Sequence, residues 1–200
     1  MRPWSFVVSF MSVLITAVGL AYMGYPVNWW MAFWAGIGII LFHAAGNTLS
    51  DYFDYKHGVD AEDTYGQVLL NTKQMTLTEM LHLAYVLIAL AFLNAVALWW
   101  ATDWNIQLLL IGGVGAVIAL AYAWLKFHAL GDLAIFANFG LLPALGTSIV
   151  ATGVLTWDSL WFLLLFIPIT NAVLHANNTR DTFTDSRAHI KTMPMLLGKR

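Results

Sequence analysis

The chain has 200 residues, 60% of them hydrophobic and 10% charged, with nine Lys and Arg against eleven Asp and Glu. Ten Trp and twelve Phe spread along uncharged runs exclude an ordinary soluble domain, and no basic footprint for nucleic acid is present. The lack of cysteine excludes disulfides, thiol nucleophiles and thiolate metal centres.

What remains is a polytopic membrane protein. A helix needs about 20 apolar residues to cross a hydrocarbon core of roughly 30 Å, and six runs are long enough. The first covers roughly Trp4–Tyr22; it lacks a basic leader and an A-x-A exit, so it reads as a retained span. Gly24 and Pro26 turn the chain into a second run, Val27–Ala45. A polar stretch follows, then Met80–Thr102, Ile106–Phe127, Leu133–Val154 and Leu160–His175. Continuous apolar runs exclude the alternating pattern of a barrel, and in lipid only helices or closed barrels satisfy the backbone. The expected fold is an all-α transmembrane bundle of six spans, forming one domain over residues 1–200.

Six spans place all nine Lys and Arg on one side, while the opposite loops near Pro26, Asp103 and Asp158 hold none. The positive-inside rule then puts both termini in the cytoplasm, with the chain in the cell's inner (cytoplasmic) membrane. Trp29, Trp30, Trp99, Trp100, Trp157 and Trp161 gather at the other face as an interfacial belt.

The chemistry concentrates at two of the span ends. Between Arg2 and Asp51 the chain carries no Asp, Glu, Lys or Arg, and then NTLSDYFD places Asn47, Asp51 and Asp54 together. At 3.6 residues per turn these three project within about 60° of one another. The N-x-x-x-D spacing recurs in NNTRDTFTD as Asn177 and Asp181, with Asp185 four residues further on. Clustered carboxylates repel, and a bound Mg2+ relieves that repulsion while leaving positions for phosphate oxygens. Two such clusters on one membrane face read as halves of one site. Asp60, Glu62 and Asp63 read instead as a solvated loop. Lys126 and Arg180 share that face as charge partners for a diphosphate, although the positive-inside rule alone also accounts for them. His43 and His175 lie about one turn before the two clusters, where a hydrogen-bonded membrane histidine is the ordinary reading.

These residues resemble the UbiA superfamily of intramembrane prenyltransferases. Within it, DYFDYKHGVD and NNTRDTFTDSRA are most similar to the 1,4-dihydroxy-2-naphthoate polyprenyltransferases of menaquinone synthesis. RPWSF, YAWLKF and LGDLAIFANFG add to the likeness, which covers the whole chain. The resemblance implies transfer of a polyprenyl group from its diphosphate to an aromatic acceptor. Asp51, Asp54, Asp181 and Asp185 would then hold Mg2+, and Asn47, Asn177, Lys126 and Arg180 would hold the diphosphate. Tyr55 stands where many members carry a third aspartate. The family has nine spans, and this sequence reaches PMLLGKR about where a seventh would begin. The expectation is a six-helix chain that assembles the polar cap but leaves the lipid groove open, unless a helical partner or second copy closes it. A small secondary transporter or an inactive helical subunit is the rival reading, since intramembrane carboxylates suit transport as well.

The topology is directly testable, because the chain has no native cysteine. Asp60→Cys and Asp185→Cys are expected to react with an impermeant maleimide from the same, cytoplasmic side; labelling from opposite sides would overturn the six-span reading.

Overall fold

The computed structural model describes residues 5–56, 70, 74–180, 182, 186 and 192–198; the side chains of Asp54, Ala123, Lys126, Phe127 and Leu165 lie outside that description. Six apolar helices run in the expected order: α1 Phe6–Tyr22, α2 Trp29–Lys56, α3 Leu77–Ala101, α4 Ile106–Phe127, α5 Gly131–Thr152 and α6 Ser159–Arg180. A short helix, α7 Met193–Leu197, follows. No strand occurs among the described residues. α2, α3, α5 and α6 are long and apolar enough to cross a membrane, while α1 and the apolar part of α4, Ile106–Tyr122, are shorter.

The boundaries differ from the apolar runs for physical reasons. α2 runs on past Ala45 to Lys56, and α6 past His175 to Arg180. Polarity ends a span, but only a breaker ends a helix, and neither extension contains Gly or Pro except Gly46. α3 starts at Leu77 rather than Met80, because Thr76 and Glu79 form a capping box. The Glu79 amide donates to Thr76 Oγ1 at 3.2 Å, and the Thr76 amide donates to Glu79 Oε2 at 2.8 Å. α5 is continuous but loosens into a π-helical turn at Ala137–Leu141.

The helices meet through a mixture of apolar, small and hydroxylated residues. α1 lies against α2, α5 and α6; α3 lies along α2, and α4 along α5. The buried face of α1 carries Ser9, Ser12, Thr16, Ala17 and Gly19. Two of its hydroxyls are satisfied within the helix: Ser12 Oγ donates to the Ser9 carbonyl and Thr16 Oγ1 to the Ser12 carbonyl, each at 2.7 Å. Ala17, Ala32 and Ala151 meet where α1, α2 and α5 come together. Small residues let the backbones approach, as helices do in lipid, where apolar burial alone gives no driving force. A Cβ on Gly19 would run into the Phe162 ring, and one on Gly140 into Ile167. Large side chains such as Phe92, Leu93, Leu110, Val117 and Leu120 stay exposed, outward toward the bilayer.

Three tight turns close one end of the bundle. Tyr25 Oη donates to Asp158 Oδ2 at 2.6 Å, tying the α1–α2 turn to the α5–α6 turn. Asn28 N donates to the Ala151 carbonyl at 2.7 Å across the same junction. At the α3–α4 turn Trp99 Nε1 donates to the Asn105 carbonyl at 3.1 Å, and Asn105 Oδ1 caps α4 by accepting from the Gln107 and Leu108 amides.

Gly19→Ala is expected to lower the thermal midpoint of the chain in detergent, because displacing Phe162 costs about 1–3 kcal/mol. Gly112→Ala, whose added methyl meets nothing within 4 Å, is expected to hold or raise it by removing glycine's entropy cost. A scanning-fluorimetry comparison of the two checks the packing, and equal shifts would contradict it.

Candidate functional site

The two motif-bearing helices end on the same side of the bundle. The C-terminal end of α1 lies beside the N-terminal part of α6, where Gly19 faces Phe162 and Tyr25 reaches Asp158. α6 therefore runs antiparallel to α1, and its last turns lie near the α1 N-terminus. α2 reaches the same level: His43 Nδ1 hydrogen-bonds with Ser9 Oγ at 2.5 Å, and its Nε2 lies 3.5 Å from Ser5 Oγ. Helix order thus brings Asn47 and Asp51, one turn and two turns beyond His43, to the end that carries Asn177 and Arg180. α1 and α5 each pack against both α2 and α6, linking the two halves.

The individual side chains stand as follows. Asn47 and Asp51 are half-buried on α2, and Asn177 is half-buried on α6 while Arg180 is exposed. Between the first two, Thr48 is fully buried and donates to the Ala44 carbonyl at 2.7 Å, so this helical turn is fixed against the bundle. Lys56 Nζ lies 5.6 Å from the Tyr52 ring centroid, on the last turn of α2. The Asp54 side chain, the Lys126 side chain and all of Asp181 and Asp185 lie outside the described residues. Among the described residues no group of three or more His, Asp or Glu is gathered to hold a metal ion. The structure thus places the two helix ends on one side of the bundle, linked through α1 and α5, and of the proposed ligands it describes Asn47, Asp51, Asn177 and Arg180.

Below this end lies a polar and aromatic layer that motif spacing did not single out. The His43 ring meets Phe6 and Phe139 edge-on, with centroids 5.4 and 4.7 Å away. Phe139 sits in the π turn, which shifts the register of α5 at this depth. Asp132, at the start of α5, lies within electrostatic reach of His175 on α6. Asn138 Nδ2 donates to the Gly115 carbonyl of α4 at 3.3 Å. Asp132 and Asn138 lie inside LGDLAIFANFG, but neither belongs to the N-x-x-x-D pattern of the two motifs. Their neighbours come from other helices.

Residues 12–200 match the UbiA prenyltransferase family. The UbiA prenyltransferase domain-containing protein 1 homolog of Drosophila melanogaster is 31% identical over 214 residues, covering 100% of this chain and 57% of the relative. The UbiA prenyltransferase domain-containing protein 1 of Danio rerio is 29% identical, and that of Homo sapiens 28% identical; each alignment covers 99% of this chain and 60% of the relative. The chain thus spans about three-fifths of the length of these relatives. They share the family expected from the motifs, but their names do not carry the narrower assignment to dihydroxynaphthoate polyprenyltransferases. With the match running through both polar helix ends and nearly the whole sequence, the chain belongs to the UbiA prenyltransferase family.

Proposed function

We propose that this chain transfers a polyprenyl group from polyprenyl diphosphate to an aromatic acceptor, and that the acceptor is 1,4-dihydroxy-2-naphthoate, in menaquinone biosynthesis. The observation that supports the reading is the placement of the α2 and α6 polar ends on one side of an apolar bundle, with α1 and α5 packed against both helices. A diphosphate with a long apolar tail needs such a surface: charged at one end and lipid-like beneath it.

The donor set suits Mg2+. The Asn47 amide oxygen and the Asp51 carboxylate are hard oxygen donors, four residues apart on one face of α2. In this reading Asp54, Asp181 and Asp185 complete the set. Bound there, Mg2+ would neutralise the diphosphate and make it a better leaving group. Asn177, Arg180 and Lys126 bind and orient the phosphate oxygens, with Arg180 supplying its planar fork of donors. The apolar helices below hold the isoprenoid tail and, with the groove closed by a helical partner or second copy, exclude water, so that the allylic carbon, on losing pyrophosphate, meets the ring before it meets water. The ring forms the new carbon–carbon bond and releases a proton, or in the naphthoate case its carboxylate as carbon dioxide. The site faces the cytoplasm, as the one-sided Lys and Arg require.

Asp51→Asn is expected to lower Mg2+-dependent prenyl transfer by about 100-fold or more, as loss of a key electrostatic group does, and Asp181→Asn to do the same. Asp103→Asn, at the opposite end, is the control expected to leave turnover unchanged. Transfer from radiolabelled geranylgeranyl diphosphate to dihydroxynaphthoate, in lipid with and without EDTA, reads the outcome. Comparable activity in all three variants would overturn the proposal.

A further inference from the structure

One set of polar side chains has no part in the diphosphate site. Asp132 on α5 and Asn171 on α6 each hold a fully buried oxygen, Oδ1 in both, with no hydrogen-bond partner. They lie along one interface. Gly140 of the π turn faces Ile167 and Leu163 of α6, and Phe136 packs against the cluster that these two form with Ala144. From that contact toward the motif end, Asn171 and His175 follow Ile167 at intervals of four and so share its face. On α5, Asp132 precedes Phe136 by four residues within the α-helical first turns, and His175 acts electrostatically on Asp132. Antiparallel packing therefore brings Asn171 level with the first turns of α5, at the height of Phe136 and Asp132.

Both orphan atoms are acceptors, so what the seam lacks is a hydrogen-bond donor. Leaving such oxygens unpaired is costly in a protein interior and more so beside lipid. A ligand that satisfies them presents O–H groups on a flat apolar body that can lie beside the Phe136 ring. The seam is also near the leaving group: Asn171 and Asn177 differ by six residues, about 9 Å of helical rise.

We propose that Asp132 and Asn171 form a hydroxyl-binding subsite between α5 and α6 that orients a hydroxylated aromatic acceptor for the prenyl transfer proposed above. Asp132 accepts one O–H as a carboxylate, Asn171 accepts a second through its amide oxygen, and Phe136 sets the plane of the ring. The assignment rests on the prenyl-transfer reading for its purpose, but its chemistry can be tested apart from turnover.

The test uses the full chain in lipid nanodiscs, with empty discs subtracted for partitioning. Equilibrium binding is measured for the dihydric naphthol 1,4-dihydroxynaphthalene and for its dimethyl ether, which keeps the ring but lacks both donors. Mg2+-dependent binding of geranyl diphosphate is followed in the same samples. The chain is expected to bind the naphthol at least about 10-fold more tightly than the ether. In Asp132→Leu and in Asn171→Leu that preference is expected to fall toward parity, with geranyl diphosphate binding unchanged. Asn171→Leu is nearly isosteric and removes an orphan polar group, so it guards against loss of fold. If the seam is only a strained polar contact, this variant raises the thermal midpoint and leaves the preference intact, which overturns the proposal. A wild-type chain that does not discriminate naphthol from ether overturns it too. Discrimination without geranyl diphosphate binding would uphold the hydroxyl subsite and overturn the prenyl-transfer reading.

Discussion

A lipid-facing helix bundle has no bulk water to fall back on, so each polar group inside it must find a partner within the protein. That constraint explains most of the described interior. Ser12, Thr16 and Thr48 donate to carbonyls of their own helices, which lets them sit in tight helix contacts without an unmet donor. His43, inside a span, is engaged by Ser9. Tyr25 and Asp158 satisfy each other where two turns meet, and in doing so lock α1, α2, α5 and α6 at one end. Against this background the unmet oxygens of Asp132 and Asn171 stand out, and they are the basis of the proposed hydroxyl subsite.

The same constraint shapes the packing. Apolar side chains gain nothing by leaving lipid for a protein interior, so the helix contacts rely on close approach of small residues. Ala17, Ala32 and Ala151 form such a contact, and Gly19 and Gly140 receive Phe162 and Ile167. α1 benefits most and becomes the hub, while α3 and α4 present broad apolar faces to the bilayer. A hub helix placed between α2 and α6 is also what carries their polar ends to a common level. Packing chemistry and site assembly are therefore one problem in this chain.

Function follows from polarity along the bundle axis. One end is closed by short turns and carries Asp103 and Asp158; the other carries Asn47, Asp51, Asn177 and Arg180 on helices that continue past the apolar core. Extending a helix beyond its span is a simple way to hold charged groups rigidly above hydrocarbon, since each turn is fixed by the one beneath it. The π turn at Ala137–Leu141 adds a local change of register at the depth where His43, Phe6 and Phe139 meet. Its neighbours place it beside the polar end rather than at the closed turns.

The sequence by itself determined the helical class, the order of the apolar helices and the identity of the two polar ends, because each is written locally. Long uncharged runs specify helices in lipid, and N-x-x-x-D spacing specifies a shared helical face. Even the early start of α3 was legible in Thr76 and Glu79, although hydropathy alone passed over it. Asp132, Asn138 and Asn171 were not legible as a group. None of them belongs to either acidic motif, and which neighbours each meets depends on the pairing of α5 with α4 and α6. That pairing was decided by the tertiary structure, through small-residue contacts and the π turn, whose effects arise only when helices distant in sequence come into contact.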